Sequence, residues 1–295
     1  MPHPTPGESP PRPHSPSASQ SRAASAALLR LGGQFFLRLD CGPSGPRGAC
    51  GVSLTLATTT PGEPEIFASL QGEGRSAGLP CTFVRLSRCN LACTWCDTAY
   101  TWRFEGDNRP HRDDITFERK ANQVVLSEED VAARIMALGG NRLVITGGEP
   151  LLQGAQLARM VSLLDGHTVE IETNGTVAPH PALAPLVSQY NVSPKLRHSG
   201  NPAEIALLSV RLQAWSDEPK AHFKFVISAP EDLAEVLELQ TAYAIPGERI
   251  QLMPEGTDSK TLRSREHWLA PLCVAHGLGL SDRLHIHLYG DTRGT

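Results

Sequence analysis

Three cysteines, Cys89, Cys93 and Cys96, lie in one short segment with the spacing C-x3-C-x2-C. Three thiolates on one loop can ligate three irons of a four-iron, four-sulfur cluster, and the sequence places no fourth cysteine nearby. The fourth iron would then have no protein ligand and could bind an exchangeable one. A structural zinc site fits less well because zinc prefers four protein ligands, and the next cysteine or histidine downstream is His111. A disulfide framework fits least, since the seven cysteines of the chain are odd in number and clustered.

The segments around these cysteines indicate an α/β fold. From about Glu65 onward, short β-rich runs alternate with amphipathic segments. The predicted strands are 82–86, 142–146, 168–172, 190–193, 222–227, 248–253 and 283–288. The predicted helices are 126–138, 155–164, 182–187, 231–240 and 262–276. Repeated strand and helix units of this length predict a parallel sheet, either open and doubly wound or closed into a complete or partial barrel.

Four motifs follow the first four predicted strands. Cys89 follows the first strand, Gly147-Gly148-Glu149-Pro150 the second, Thr173-Asn174-Gly175 the third and Pro194-Lys195 the fourth. Function gathers at the carboxyl ends of parallel strands, so we expect all four motifs to share one rim of the sheet. Taken singly, the last three could be a strand-to-helix turn, a capped strand end and a simple turn.

Composition predicts one catalytic domain with an N-terminal extension. The chain has 295 residues, of which 40% are hydrophobic. Residues 1–56 are rich in Pro and Ser near their start and predict a disordered extension without a catalytic role, which leaves residues 57–295 as the catalytic domain. A net charge of −4 gives no reason to expect nucleic-acid binding.

Cysteine usage and hydropathy indicate a cytoplasmic protein. Thiolates stay available to metal in a reducing cytosol. Arg30 and Arg38 interrupt the apolar patches of residues 24–39, which fall short of the ~18 unbroken apolar residues of a membrane span. The sequence also lacks a basic region that leads directly into an apolar stretch near Met1, although its arginine excess there is similar to that of an organellar transit peptide.

The cysteine triplet resembles the signature of the radical S-adenosylmethionine (SAM) superfamily, which usually has an aromatic residue before the last cysteine, here Trp95. The resemblance implies a partial TIM-type barrel and one cluster held by Cys89, Cys93 and Cys96, with SAM on the fourth iron. The Gly147-Gly148-Glu149-Pro150 run is similar to the family's GGEP motif. The residues that this resemblance implies for SAM binding are Trp95, Cys96, Asp97, Gly148, Glu172, Asn174, Ser193, Pro194 and Lys195.

Two further segments, residues 65–74 and 284–295, together with Cys96-Asp97-Thr98, resemble 7-carboxy-7-deazaguanine synthases. This resemblance covers about Glu65 to Thr295. It implies conversion of 6-carboxy-5,6,7,8-tetrahydropterin to 7-carboxy-7-deazaguanine with loss of ammonia, on the route to 7-deazapurines such as queuosine. It also implies a magnesium ion on the Thr98 hydroxyl and regeneration of SAM. The substrate contacts that it implies are Leu70, Gln71, Gly72, Glu73, Arg85, Thr146, His285 and the terminal carboxylate of Thr295, which would not tolerate extension of the chain.

The residue types suit this substrate. The Gln71 amide can donate and accept, the Glu73 carboxylate can accept from an aminopyrimidine edge, and Arg85 can form a bidentate pair with a carboxylate. The family further implies a homodimer and an electron donor such as flavodoxin or ferredoxin. Residues 100–125 are charged and longer than a turn, and they either cover the site or form a solvated loop.

Two other functions share parts of these patterns. A radical SAM activase, which generates a glycyl radical on a partner protein, would carry the same triplet. Such an enzyme does not need the Gln71 and Glu73 pocket. A non-enzymatic zinc module would need neither SAM nor substrate, and iron and sulfide analysis would distinguish it.

Overall fold

Parallel strands form the centre of a single mixed sheet of eleven strands in this computed structural model, which describes residues 53–295. The sheet order is β11-β10-β9-β8-β7-β6-β4-β1-β2, with β3 on β4 and β5 on β1. Every pairing from β4 to β11 along this path is parallel. The strands are β1 Ser53–Thr60, β2 Glu63–Pro64, β3 Ile66–Leu70, β4 Pro80–Leu86, β5 Gln123–Ser127, β6 Arg142–Gly147, β7 Thr168–Thr173, β8 Gln189–Val192, β9 Ala221–Ile227, β10 Ile250–Pro254 and β11 Gly279–Leu280.

Helices follow most of the parallel strands. The α-helices are α1 Arg119–Asn122, α2 Glu128–Leu138, α3 Gly154–Ser162, α4 Ala203–Ala206, α5 Ser209–Asp217, α6 Asp232–Ala242, α7 Ser259–His276 and α8 Leu284–Tyr289. Ser127 caps the start of α2, because its side chain accepts a hydrogen bond from the Asp130 backbone N–H at 3.1 Å. Within residues 53–295, no helix combines the length and the apolar character that crossing a bilayer requires.

Antiparallel strands cover the edge of the sheet beside β4. Strand β1 pairs with β4, β5 and β2, and its Leu54 and Leu56 side chains are fully buried in the main core. The boundary that the sequence predicted between residues 56 and 57 therefore falls inside this strand. Residues 53–56 were predicted to belong to the disordered extension but lie in β1, and the rest of that extension, residues 1–52, lies outside the described residues. The described strands run in one open path rather than a ring, which agrees with the predicted partial barrel.

Most predicted elements are confirmed, and one is wrong. Residues 283–288 were predicted as a strand from the alternation of Leu284, Ile286 and Leu288, yet Leu284–Tyr289 is helix α8. Only Ile286 of these three is buried, while Leu288 is half exposed, so the alternation does not reflect a two-sided strand. The short helix predicted at 182–187 is a single 3-10 turn, Ala184–Leu186.

The carboxyl ends of β4, β6, β7 and β8 are neighbours because these four strands are consecutive in the sheet. The four motifs of the sequence follow these four strands, so the predicted common rim is confirmed. Large apolar side chains of the adjoining strands, such as Tyr190, Phe223 and Phe225, fill the core that fixes the strand ends. The fold therefore positions the motifs around one opening.

Candidate active site

A cavity of about 430 Å³ lies at the carboxyl ends of the parallel strands. All but one of the predicted site residues line it, although they come from segments far apart in the chain. The exception is Pro194, which is buried beside the cavity without lining it. The predicted residues that do line it are Leu70, Gln71, Gly72, Glu73, Arg85, Cys89, Cys93, Trp95, Cys96, Asp97, Thr98, Thr146, Gly148, Glu172, Asn174, Ser193, Lys195, His285 and Thr295.

The three cysteines of the triplet are free thiols on one wall of this cavity. Burial raises the pKa of Cys89 to about 12 and that of Cys93 to about 11. Thiols in such surroundings keep their protons until a metal replaces them. Three sulfurs on one wall, without a disulfide between them, fit a cluster with three protein ligands.

Gly148 permits the close approach of the β6 turn to the cysteine loop. A Cβ at this position would lie 2.1 Å from the Arg88 carbonyl oxygen and 3.0 Å from the Cys89 Cβ. Any side chain would therefore push the cysteine loop away. The backbone of Gly148 lines the cavity, where it is open to a ligand.

The buried Glu149 carboxylate ties the ends of β6 and β7 together. It accepts hydrogen bonds from the Asn174 backbone N–H at 2.7 Å, from the Leu151 backbone N–H at 3.0 Å and from the Thr173 hydroxyl at 2.9 Å. Burial nevertheless raises the pKa of Glu149 to about 7. The network fixes the turn that carries Gly148.

Trp95, Ser193 and Lys195 form the wall next to the cysteines. Lys195 Nζ donates to Ser193 Oγ at 2.7 Å and lies 5.8 Å from the centre of the Trp95 ring. The Trp95 Nε1 atom is buried and has no hydrogen-bond partner among the described residues. Lys195 therefore offers a cation to a bound group.

Asn174 was predicted to bind SAM, but its side chain is engaged by neighbouring residues. Its Oδ1 atom already accepts from the backbone N–H and the hydroxyl of Thr176, at 2.9 and 2.6 Å. Its Nδ2 atom donates to Asn90 Oδ1 at 3.0 Å. The side chain therefore shapes the turn after β7, and little of its hydrogen-bonding capacity remains for a cofactor.

The opposite wall is built around the Glu73 carboxylate. Glu73 forms ion pairs with Lys224 and with Arg283, whose Nε atom lies 3.0 Å from Glu73 Oε1. Although burial alone would raise the pKa of Glu73, the two cations hold it well below its ordinary value of 4.5. Arg283 also pairs with Asp97, so one arginine connects this wall to the cysteine loop.

Sequence reasoning missed Lys224 and Arg283, which are only 6% and 7% exposed. Lys224 lies within the apolar strand β9, where a charged residue is itself a signal of a buried partner. Arg283 comes directly before α8, in the stretch read as a strand. Both residues line the cavity and neutralise Glu73.

Glu172 joins two residues that were predicted to contact substrate. Its Oε1 atom accepts from Gln71 Nε2 at 3.2 Å, and its Oε2 atom accepts from the Thr146 hydroxyl at 2.7 Å. Gln71 Oε1 accepts in turn from the Glu73 backbone N–H at 3.2 Å. The predicted substrate and SAM sets thus share one hydrogen-bonded network.

Arg85 is held by a buried carboxylate. Its Nε atom donates to Glu65 Oε1 at 2.7 Å, and the Tyr100 hydroxyl donates to Glu65 Oε2 at 2.9 Å. Although burial disfavours the charged form, Glu65 raises the pKa of Arg85, which keeps it cationic. The two terminal nitrogens of Arg85 have no hydrogen-bond acceptor among residues 53–295 and can serve an anion in the cavity.

His285 lies against Gly72, on helix α8 rather than on a strand. A Cβ at Gly72 would lie 2.1 Å from His285 Nδ1, and the Gly72 carbonyl accepts from the Leu284 backbone N–H at 2.9 Å. Burial lowers the pKa of His285. Gly72 therefore lets α8 seal one end of the cavity.

The Thr98 hydroxyl lies 3.6 Å from the Cys96 sulfur. In the described part of the chain, the His, Cys, Asp or Glu trio spaced to share a metal ion is Glu266, Asp282 and His287, which do not line the cavity. A magnesium ion on Thr98 would therefore take most of its oxygen ligands from water and substrate, as magnesium often does.

Part of the charged stretch after Tyr100 covers the cavity. Phe104 and Phe117 form a β-bridge, and the residues between them include His111 and Arg112, which line the cavity. Arg112 forms an ion pair with Glu255 at 2.7 Å, which anchors the stretch to the end of β10. The stretch thus contributes residues to the cavity, while most of residues 105–120 are exposed.

Known proteins match this chain over most of the described residues. The family described as "Radical SAM superfamily" matches residues 84–261. The 7-carboxy-7-deazaguanine synthase of Pyrobaculum aerophilum is 37% identical, with 78% of this chain and 95% of the relative covered. That of Halobacterium salinarum is 33% identical, with 78% and 91% covered.

A solved structure agrees with these relatives. The crystal structure of QueE from Escherichia coli matches with a TM-score of 0.56 and 30% identity, over 78% of this chain and 95% of that one. Sequence and fold lead to the same assignment. The chain belongs to the 7-carboxy-7-deazaguanine synthase family of the radical SAM superfamily.

Proposed function

We propose that this protein converts 6-carboxy-5,6,7,8-tetrahydropterin to 7-carboxy-7-deazaguanine with loss of ammonia. The observation that carries the proposal is a single cavity with two kinds of wall. Three free thiols and Gly148 line one part of it, and the hydrogen-bonded and charged groups of Gln71, Glu73 and Arg85 line another. A cavity of about 430 Å³ suits small ligands held side by side.

Cys89, Cys93 and Cys96 would hold the cluster, and the wall of Gly148, Trp95, Ser193 and Lys195 would hold SAM. When bound, the cluster and SAM together supply the one-electron radical chemistry of the reaction. The Lys195 ammonium suits a carboxylate. Its hydrogen bond to Ser193 fixes it before any ligand arrives, which favours orientation of the reactants.

Arg85 would bind the carboxylate of the substrate. Its guanidinium is held at Nε by Glu65, so its two terminal nitrogens keep a fixed direction. Two parallel N–H donors match the two oxygens of a carboxylate. Because Glu65 already restrains the Arg85 side chain, this side chain loses less conformational entropy when the substrate binds.

The polar edge of the pterin would form hydrogen bonds with Gln71, Glu73 and Glu172. Their mutual hydrogen bonds fix where each atom points, and the Lys224 and Arg283 cations keep Glu73 ionised as an acceptor. A site built to hydrogen-bond a ring rejects analogues that leave its buried groups unpaired. Helix α8 and the cover that carries Arg112 would exclude water from the bound pair.

Magnesium would bind the Thr98 hydroxyl and the substrate carboxylate together. Thr98 lines the cavity beside Cys96, and a magnesium ion with few protein ligands retains sites for substrate oxygens. Its positive charge would stabilise the carboxylate while the ring rearranges. Thr98→Ala should then raise the magnesium concentration needed for half-maximal rate.

The reaction needs an electron from outside the chain. We expect a small electron carrier such as flavodoxin or ferredoxin in the cytoplasm, and a homodimer as in the family.

Anaerobic reconstitution with iron and sulfide tests the proposal. The loaded protein, incubated with SAM, magnesium, a reductant and the carboxytetrahydropterin, should form the deazaguanine acid without any partner protein and leave SAM largely unconsumed. A protein that cleaves SAM only when a glycyl-radical partner is added would contradict it, as would a colourless, zinc-loaded protein.

A further inference from the structure

A side-chain N–H group lies within hydrogen-bonding distance of each cysteine sulfur in the triplet. Asn201 Nδ2 lies 3.3 Å from Cys93 Sγ, and Trp102 Nε1 lies 3.4 Å from Cys96 Sγ. The third contact, from Asn174 to Cys89, is longer at 3.9 Å, and that amide donates mainly to Asn90. Two sulfurs therefore have well-placed donors, and neither donor was singled out by the sequence.

We propose that Asn201 and Trp102 are positioning residues that donate N–H···S hydrogen bonds to the two ligand cysteines and raise the reduction potential of the cluster. The inference rests on the proposed function, because it requires an iron-sulfur cluster on the three cysteines.

Asn201 holds the cysteine loop at two points with one side chain. Its Oδ1 atom accepts from the Ala92 backbone N–H at 2.9 Å, while its Nδ2 atom donates to Cys93. The Ser199 carbonyl accepts from the Thr94 backbone N–H at 2.9 Å in the same region. The contact with Ala92 fixes the orientation of the amide, so its N–H group and not its oxygen faces the sulfur.

Trp102 has a single donor, and the surrounding residues aim it at Cys96. The indole is only 5% exposed, with the Arg109 guanidinium 4.7 Å from its ring centre. The His111 ring packs edge-on against it at 6.4 Å, and His111 Nε2 contacts the Cys96 carbonyl at 2.8 Å. An indole N–H can only donate, so the Cys96 sulfur must be the acceptor in this contact.

Hydrogen-bond donors to the ligand sulfurs change the free energy of reducing the cluster. Reduction adds negative charge that is shared with the ligand sulfurs, and an N–H group stabilises that charge. Losing a donor should therefore favour the oxidised cluster and shift the midpoint potential to more negative values. A purely structural role would instead lower the fraction of protein that holds a cluster.

The test is a redox titration of the anaerobically reconstituted full-length protein, followed by electron paramagnetic resonance of the reduced cluster. Asn201→Ala removes one donor without adding charge, Asn201→Asp adds a repelling oxygen, and Trp102→Phe removes the other donor while keeping a ring. Asn141→Ala and Trp268→Phe are matched controls, since Asn141 is exposed at the opposite end of β6 and Trp268 lies on α7, and neither lines the cavity.

We expect more negative potentials in the loaded fraction of all three variants, most negative for Asn201→Asp, and wild-type potentials in both controls. Trp102→Phe tests the inference independently should an Asn201 variant not retain its cluster. Unchanged potentials with a reduced cluster content would overturn the inference while leaving the proposed function standing. Wild-type protein without cluster iron and sulfide would overturn the proposed function itself.

Discussion

The side-chain amide of Gln71 donates a hydrogen bond to the carboxylate of Glu172 at 3.2 Å. Gln71 follows β3 and is 1% exposed, whereas Glu172 lies near the end of β7. The pair therefore connects the antiparallel edge of the sheet to its parallel centre. It also joins a residue predicted to bind substrate to one predicted to bind SAM.

Gln71→Met should weaken turnover without unfolding the protein. Methionine matches the length of glutamine but removes the donor to Glu172 and the acceptor for the Glu73 backbone N–H. We expect kcat/KM to fall about 10- to 100-fold, as for loss of one or two hydrogen bonds at a buried polar site. Gln213→Met is the matched control, because Gln213 donates to Asp217 on the exposed side of α5 and neither residue lines the cavity, and its kinetics should stay near wild type.

Glu73→Gln should destabilise the protein most at neutral pH. The change removes the buried anion that Lys224 and Arg283 share, while Arg283 keeps its pair with Asp97, and we expect the free energy of unfolding to fall by about 3 kcal/mol at pH 7. The pKa of Glu73 in the folded protein lies below its ordinary 4.5, so its contribution is full above pH 4.5 and is lost as the pH falls further. The difference should shrink by about 1.4 kcal/mol per pH unit below 4.5.

Urea unfolding of the cluster-free protein at pH 7, 4 and 3 measures this difference. Glu63→Gln is the control, because the Glu63 and Arg134 side chains form an exposed ion pair. A constant difference between wild type and Glu73→Gln across these pH values would contradict the account.

Gly148→Ala should impair cluster binding. The added Cβ would meet the Arg88 carbonyl oxygen at 2.1 Å, and a backbone atom cannot rotate away as a side chain can. We expect a large fall in iron and sulfide per chain after reconstitution. Gly62→Ala, where a Cβ meets open space, should cost some stability by backbone strain but retain the cluster. Equal cluster content in the two variants would argue against the close approach.

Arg85→Lys should separate charge from geometry in substrate binding. Lysine keeps the positive charge but lacks the fork that bonds Glu65 and a carboxylate together. We expect KM for the carboxytetrahydropterin to rise about 10- to 100-fold. Arg142→Lys is a matched control, because Arg142 pairs with the buried Glu170 away from the cavity lining. An unchanged KM in Arg85→Lys would remove Arg85 from the substrate site.

The sequence was most informative where chemistry depends on local spacing. The cysteine triplet, the Gly148 turn and the strand ends could be placed because each lies next to its own strand. Lys224 could not, because its role depends on Glu73, which is distant in sequence and meets it only across the sheet. Its position in an apolar strand signals a buried partner but does not identify one.

Helix α8 shows why periodicity alone failed. Leu284, Ile286 and Leu288 alternate as in a strand, but a six-residue segment is too short to distinguish the two periods. The contact of Leu284 with the Gly72 backbone places the segment as a helix over the cavity. Asn201 was missed for a related reason, since its Oδ1 and Nδ2 contacts are with Ala92 and Cys93, which are remote in sequence.

Product formation by matched cysteine variants tests the central claim most directly. Wild type and Cys273→Ala, whose thiol lies on the buried side of α7 outside the cavity, should both convert the carboxytetrahydropterin to 7-carboxy-7-deazaguanine, identified by mass spectrometry. Cys93→Ala should form none. Absence of this product from wild-type protein with a full complement of cluster iron and sulfide would contradict the account, as would undiminished product from Cys93→Ala.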